Sequence, residues 1–328
     1  MLMTIQMQNN FLFLKRKIWL FLVLCYQLSA TYSQSYIDVL LQKGNQGDSI
    51  AQFDLGMLYL NGTKETPIDY KKAILWLEKS PINKNSQVQF NIGKIYYDGK
   101  LGRRDFNTAF LWFKKSGDQD YPKALYQIAK MYNLGEGTSY NVKMAYKFFK
   151  RGAELNDTLS IYWLGICYQF GNGVKENQKE AFNLFDKAAS FGLLDAEHKL
   201  AEMYESGVYE VLEKNCVKAI EKYTLCARSG DRVAQYHLGK LYRSGLCDLK
   251  IDYNASLEWF EMCLTNNNGV DLEYAAAFET GRIYFLGNGV KKDKIKAAKL
   301  IKIAVDRGHI EATKFWNEHS LQDYYKPD

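Results

Sequence analysis

The chain has 328 residues, 47% of them hydrophobic and 15% aromatic, with only four prolines and a formal charge of +6. That composition excludes a disordered polymer or a collagen-like repeat. Three positive charges, Lys15, Arg16 and Lys17, form one short run, and the remaining charge of about +3 is too mild to imply a nucleic-acid partner.

Residues 1–33 read as a signal peptide. The basic run precedes an apolar stretch over 18–26, and Ser29 and Ala30 supply small residues beyond it, which is the order of a cleaved secretory leader. The apolar stretch falls short of the roughly 20 residues that a membrane-spanning helix needs. Extended back through residues 11–14 it would become an uncleaved anchor, and the Lys-Arg-Lys interruption argues against that. A secreted or periplasmic protein is therefore expected, with the eukaryotic secretory pathway as another setting. There the sequons at Asn61, Asn156 and Asn254 would be glycosylation acceptors. Cleavage leaves Cys167, Cys216, Cys226, Cys247 and Cys263, an odd number that makes no stapling framework. Buried free thiols are expected, with Cys216–Cys247 the best-placed pair for any bridge.

The mature chain repeats. Tyr59, Tyr96, Tyr132, Tyr168, Tyr204, Tyr242 and Tyr284 recur every 36–42 residues, each three places after a glycine or alanine. A period of that size marks a stack of supersecondary units. In residues 160–192, Ser160, Leu164, Gly165 and Tyr168 share one helical stripe, and Gly171-Asn172-Gly173 breaks it. Ala181, Leu184, Phe185, Ala188 and Ala189 form a second stripe that Gly192 ends. Ala73, Ala109, Ala145, Ala181, Ala219 and Ala297 anchor the second helices, with bulky residues such as Trp76, Trp112, Phe148 and Leu184 beside them, and repeat six has Ser256 and Trp259 in the corresponding places. The repeats fall near 48–82, 85–118, 121–155, 157–192, 193–230, 231–268 and 273–308. A lone second helix over 36–47 and a lone first helix over 310–319 would cap an array spanning 34–320, followed by a loose tail over 321–328. Ser80-Pro81 should stop the first unit's second helix, and residues 265–271 add a polar insertion.

AQFDLGMLYLNG, AQYHLGKLYRSG and SIYWLGICYQFGNGV resemble the first half of Sel-1-like repeats. KEAFNLFDKAASFG and KMAYKFFKRGAELN resemble the second half. The resemblance covers nearly the whole mature chain and implies an all-α, right-handed superhelical solenoid of antiparallel helix pairs, related to tetratricopeptide repeats. Members commonly act as adaptors that assemble protein complexes. Repeats one and five depart from the fuller pattern at the turn, with Asn61-Gly62-Thr63 and Ser206-Gly207-Val208, so their inter-helix geometry is the part in question.

In tetratricopeptide-type arrays the first helices line a concave groove. The resemblance carries that groove onto Phe90, Lys94, Tyr97, Lys123, Tyr126, Lys130, Tyr162, Glu202, Glu205, Tyr236, Lys240, Arg243, Phe278 and Arg282. Phe53, Phe90, Tyr126, Tyr162, His198, Tyr236 and Phe278 make an aromatic column within it. The column also reads as repeat packing, with the charges simply solvated. A peptide or helical segment of a protein partner suits such a surface, because aromatics and arginine dominate interface energy while charge sets orientation. A membrane partner enters only with an uncleaved leader.

Catalytic signatures are missing. The four histidines, His198, His237, His309 and His319, form no HExxH, and there is no CxxC, GxSxG or SxxK. The GxG pairs recur at one repeat position and lack the strand of a dinucleotide site. No enzyme activity, cofactor or metal is expected from this pattern. The competing readings are a binder or hydrolase of cell-wall or β-lactam-type ligands, and a membrane-tethered assembly factor.

Overall fold

The computed structural model describes residues 36–64, 66–208, 211–246, 249–265 and 271–325. The expected signal peptide over 1–33, Cys247, the core of the 265–271 insertion and the last three residues lie outside them. The described residues are all-α, with one isolated bridge between Val208 and Leu212. They divide into two compact units that meet in sequence at Asp157/Thr158.

The first unit opens with helix α1 over residues 36–45. Three helix pairs follow: α2 Ser49–Asn61 with α3 Tyr70–Lys79, α4 Ser86–Tyr97 with α5 Phe106–Gly117, and α6 Pro122–Leu134 with α7 Val142–Glu154. The stop at Ser80-Pro81 is real, and a 3-10 turn over Pro81–Lys84 follows it. The second unit holds four pairs: α8 Thr158–Phe170 with α9 Gln178–Ser190, α10 Leu194–Ser206 with α11 Cys216–Arg228, α12 Arg232–Ser244 with α13 Tyr253–Leu264, and α14 Asp271–Leu286 with α15 Lys294–Asp306. Helix α16, Ile310–Glu318, caps it. The expected tail starts later than read: Leu321 is buried in the core cluster of Trp316, and Tyr324 and Tyr325 pack there too.

Each pair closes in the same way. The small residue before the anchor tyrosine lets the second helix approach, and an ideal Cβ on Gly165 would lie 2.7 Å from the Phe185 ring. The residue that fills this contact stands four places after the second-helix anchor: Leu77, Phe113, Phe149, Phe185, Tyr223, Phe260 and Ile301, all buried. Trp112, Phe148 and Leu184, one place earlier, are only half-buried. A helical face of about 100° per residue separates the two sets.

The turn carries a second recurring device. Asp69, Asp105, Asn141, Asn177, Asn215, Asp252 and Asp293 cap the second helices, each side chain accepting from a backbone N–H of the first turn. Their own N–H groups donate to the carbonyls of the seven anchor tyrosines at 2.8–3.0 Å. One residue thus satisfies an orphan acceptor at one helix end and an orphan donor at the next helix start. This link also keeps the degraded turns in place. Gly62 and Gly207 hold ψ near 165°, outside the left-handed well that Gly135 and Gly245 occupy. Asp69 and Asn215 nevertheless reach Tyr59 and Tyr204 as in the other repeats.

Candidate functional site

In the first unit, α4 and α6 carry the expected face. Phe90 is buried against Phe113 and Tyr121, at ring separations of 5.5 and 5.3 Å, so it supports the face from beneath. Lys94 is exposed, pairs with Asp98 at 3.8 Å, and borders an open cleft of about 250 Å³ with Leu60 and Tyr70. The Tyr97 hydroxyl donates to Glu136 at 2.6 Å, and the Lys130 ammonium lies 5.5 Å from the Tyr97 ring. Burial, then the Glu136 carboxylate, push the Tyr97 phenol pKa up. Tyr126 is half-buried beside Phe149 at 6.1 Å, and Lys123 is exposed at the start of α6.

In the second unit most of the expected charges are held by neighbouring helices. Tyr162 packs on Phe185 at 5.6 Å. Burial and the carboxylates of Asp195 and Glu202 push its pKa to about 12. Glu202 accepts from Lys199 at 2.6 Å and lies 3.4 Å from His198 Nε2. Burial alone would raise its pKa, but those two donors outweigh it and hold it at about 2. Glu205 accepts from the buried Tyr223 hydroxyl at 2.8 Å and pairs with His237 Nδ1 at 3.4 Å. The His237 hydrogen bond is the largest cause of its lowered pKa. Arg243 and Arg282 share Glu279, each at 3.4 Å, and the Glu279 side chain is only 10% exposed. Arg282 also covers Phe278 at 5.4 Å, and Phe278 is buried. Tyr236 packs on Phe260 at 5.7 Å, and exposed Lys240 lies over its ring at 5.5 Å.

Glu136, Tyr223, Asp231 and Glu279 were not singled out in sequence. Their signal is weak there: Tyr223 meets Glu205 from 18 residues away, Asp231 meets His198 from 33, Glu136 meets Tyr97 from 39, and Glu279 joins Arg243 of α12 as well as Arg282 of its own helix. Of the cysteines, Cys167, Cys226 and Cys263 are free and buried as expected. Cys216 departs from the free-thiol reading: it is disulfide-bonded and opens α11. Its expected partner, Cys247, lies outside the described residues.

Stacked helix pairs with recurring small-residue contacts and caps define a helix-pair repeat protein of the solenoid class. The model of the Sel1 repeat matches residues 49–80, 86–121, 122–157, 158–191, 194–231, 232–262 and 275–309. The chain belongs to the Sel1 repeat family, whose proteins are generally non-catalytic scaffolds for protein–protein interaction. It is similar to c5321, a protective antigen present in uropathogenic Escherichia coli strains that displays an SLR fold. The identity is 26% and the TM-score 0.74, over 84% of this chain and 57% of that one. The chain thus spans little more than half the length of that antigen. A Sel1 repeat protein from Oxalobacter formigenes shares the fold at 24% identity and a TM-score of 0.70, over 88% of this chain and 81% of that one. No curated protein matches the chain. No helix among the described residues is long and apolar enough to cross a membrane.

Proposed function

We propose that this chain is an exported scaffold whose first helices bind a peptide or helical segment of a protein partner. The observation that carries the reading is a set of exposed cations, Lys94 and Lys123 in the first unit and Lys240 in the second, standing among half-buried rings on first helices. Rings supply apolar area that is already ordered, and flanking charge orients an acidic or amphipathic segment. Export is supported by the leader-like order of residues 15–30 and by the Cys216 disulfide, a bond that persists in oxidising compartments.

The test is cross-linked affinity capture of the protein from its own envelope or medium, followed by mass spectrometry. Lys94→Glu/Lys123→Glu is the matched variant. Lys130 is left intact because its ammonium covers Tyr97. One dominant protein partner lost in the variant, with helicity and melting unchanged, supports the proposal. A partner captured equally by the variant refutes the face assignment, and glycan fragments with no protein refute the scaffold reading.

A further inference from the structure

Three potential metal ligands from successive elements of the second unit converge at one point. His198 projects from α10, Cys226 from α11, and Asp231 caps α12. The His198 nitrogen, Cys226 sulfur and Asp231 oxygen all lie within 4.8 Å of one another. In a tetrahedral zinc centre with 2.0–2.3 Å bonds, ligand atoms stand roughly 3.3–3.8 Å apart. Side-chain shifts of about 1 Å would therefore close the site.

The surroundings are those of a metal site's outer shell. His198 Nδ1 faces Asp231 Oδ2 at 2.6 Å, while Nε2 lies 3.4 Å from Glu202 Oε1. A ligating imidazole characteristically donates its other N–H to a carboxylate, and Glu202 stands in that place. Lys199 holds Glu202 from the other side at 2.6 Å. Asp231 is fixed by accepting from the N–H groups of Val233 and Ala234.

The repeat supplies its own control. At the position of Cys226, repeats one and two carry Ser80 and Ser116, which donate to Ser49 and Ser86 carbonyls at 2.7 and 2.6 Å. Cys226 makes the matching contact to the Leu194 carbonyl at 3.5 Å, and repeats three, four and seven carry Gly152, Ala188 and Ala304 there, so packing asks only for a small residue. The position of His198 is filled elsewhere by Phe or Tyr, so packing asks only for a ring. Cys263 repeats the Cys226 position one unit later, but its neighbour there is Arg232, whose Nε donates to its carbonyl. Thiol, imidazole and carboxylate coincide only in repeat five among the described residues.

We propose that His198, Cys226 and Asp231 form a zinc site that ties α10, α11 and the start of α12 together, with Glu202 orienting the imidazole and water in the fourth position. Soft sulfur with nitrogen and one carboxylate selects zinc over calcium or magnesium, which take oxygen ligands. Binding replaces the thiol proton of Cys226 with the metal and releases that proton to solvent, while the imidazole of His198 ligates through Nδ1 and keeps its remaining proton on Nε2, donated to Glu202. This goes beyond the sequence pattern, in which no metal-ligand spacing occurs.

The experiment uses the full chain, stripped with chelator and titrated with Co²⁺ and, separately, with Zn²⁺. One equivalent of Co²⁺ should produce a thiolate-to-cobalt charge-transfer band, and Zn²⁺ should displace it and raise the melting temperature. Cys226→Ser, His198→Tyr and Asp231→Asn follow residues the repeat already tolerates or keep the cap. Each should abolish the band and the zinc-dependent rise in melting temperature while remaining folded. Glu202→Gln should weaken binding about 10- to 100-fold, and Cys263→Ser should change nothing. Absence of the band at one equivalent, or a band that survives Cys226→Ser, overturns the proposal.

Discussion

Lengthening the side chain at Gly165 tests the helix-pair contact most severely. A Cβ there would stand 2.7 Å from Phe185 Cε1 and 3.0 Å from Cδ1, and the Phe185 ring is fully buried. Alanine alone gains about 1 kcal/mol of helix propensity over glycine. Ala129 and Ala201 already hold the equivalent place opposite buried Phe149 and Tyr223, so a shift of the second helix can admit one methyl. Gly165→Ala should therefore be close to neutral. Leucine adds three further carbons to a space that is already closed, and overpacking of that kind costs about 1–3 kcal/mol. With a dependence of about 2 kcal/mol per molar urea, the midpoint should fall by roughly 0.5–1.5 M. Circular dichroism in urea reads the shift. In a Phe185→Leu background the same substitution should cost less, with a coupling of about 0.5–3 kcal/mol. An unchanged midpoint for Gly165→Leu, or an equal loss in both backgrounds, would refute the packing account.

Three further outcomes follow from the same geometry. Asn177→Ala should cost about 1 kcal/mol by removing the cap on α9, whereas Asn177→Asp should be near neutral in a melting experiment, since aspartate fills this place at Asp69, Asp105, Asp252 and Asp293. Ser116→Ala should cost about 1 kcal/mol through the lost 2.6 Å bond to the Ser86 carbonyl, and Ser116→Cys should recover part of it, as Cys226 and Cys263 fill this position. The lowered pKa of Glu205 means that its contribution to stability is present above the ordinary value of 4.5 and is lost as pH falls through the lowered value. Urea midpoints measured from pH 7 down to pH 3 should therefore drop more steeply for wild type than for Glu205→Gln, and parallel curves would contradict the assignment.

Much of the fold is legible in sequence because its period is long and its landmarks are chemically narrow. Gly165, Tyr168, Ala181 and Gly192 mark helix contact, anchor, second helix and stop within one repeat, and the other repeats return the same marks. The caps went unread in the sequence, although Asp or Asn stands four places before every second-helix anchor, and the seven anchor carbonyls they serve become visible only in space. The candidate face was legible as positions and less so as chemistry. Arg243 and Arg282 stand where the repeat register puts them, yet both turn to Glu279 on α14, and Glu205 turns to Tyr223 and His237. Which charge pairs with which depends on rotamer and on helix separation, and neither has a period in sequence. Phe90 and Phe278 show the same limit: a ring at a groove position reads alike whether it tops the face or lies beneath it.

Hydrogen exchange of the captured complex tests the binding face most directly. With the partner bound, new protection should appear on α4, α6 and α12, around Lys94, Lys123 and Lys240, with the second helices α5, α7 and α13 unchanged. Protection confined to the second helices would contradict the face assignment.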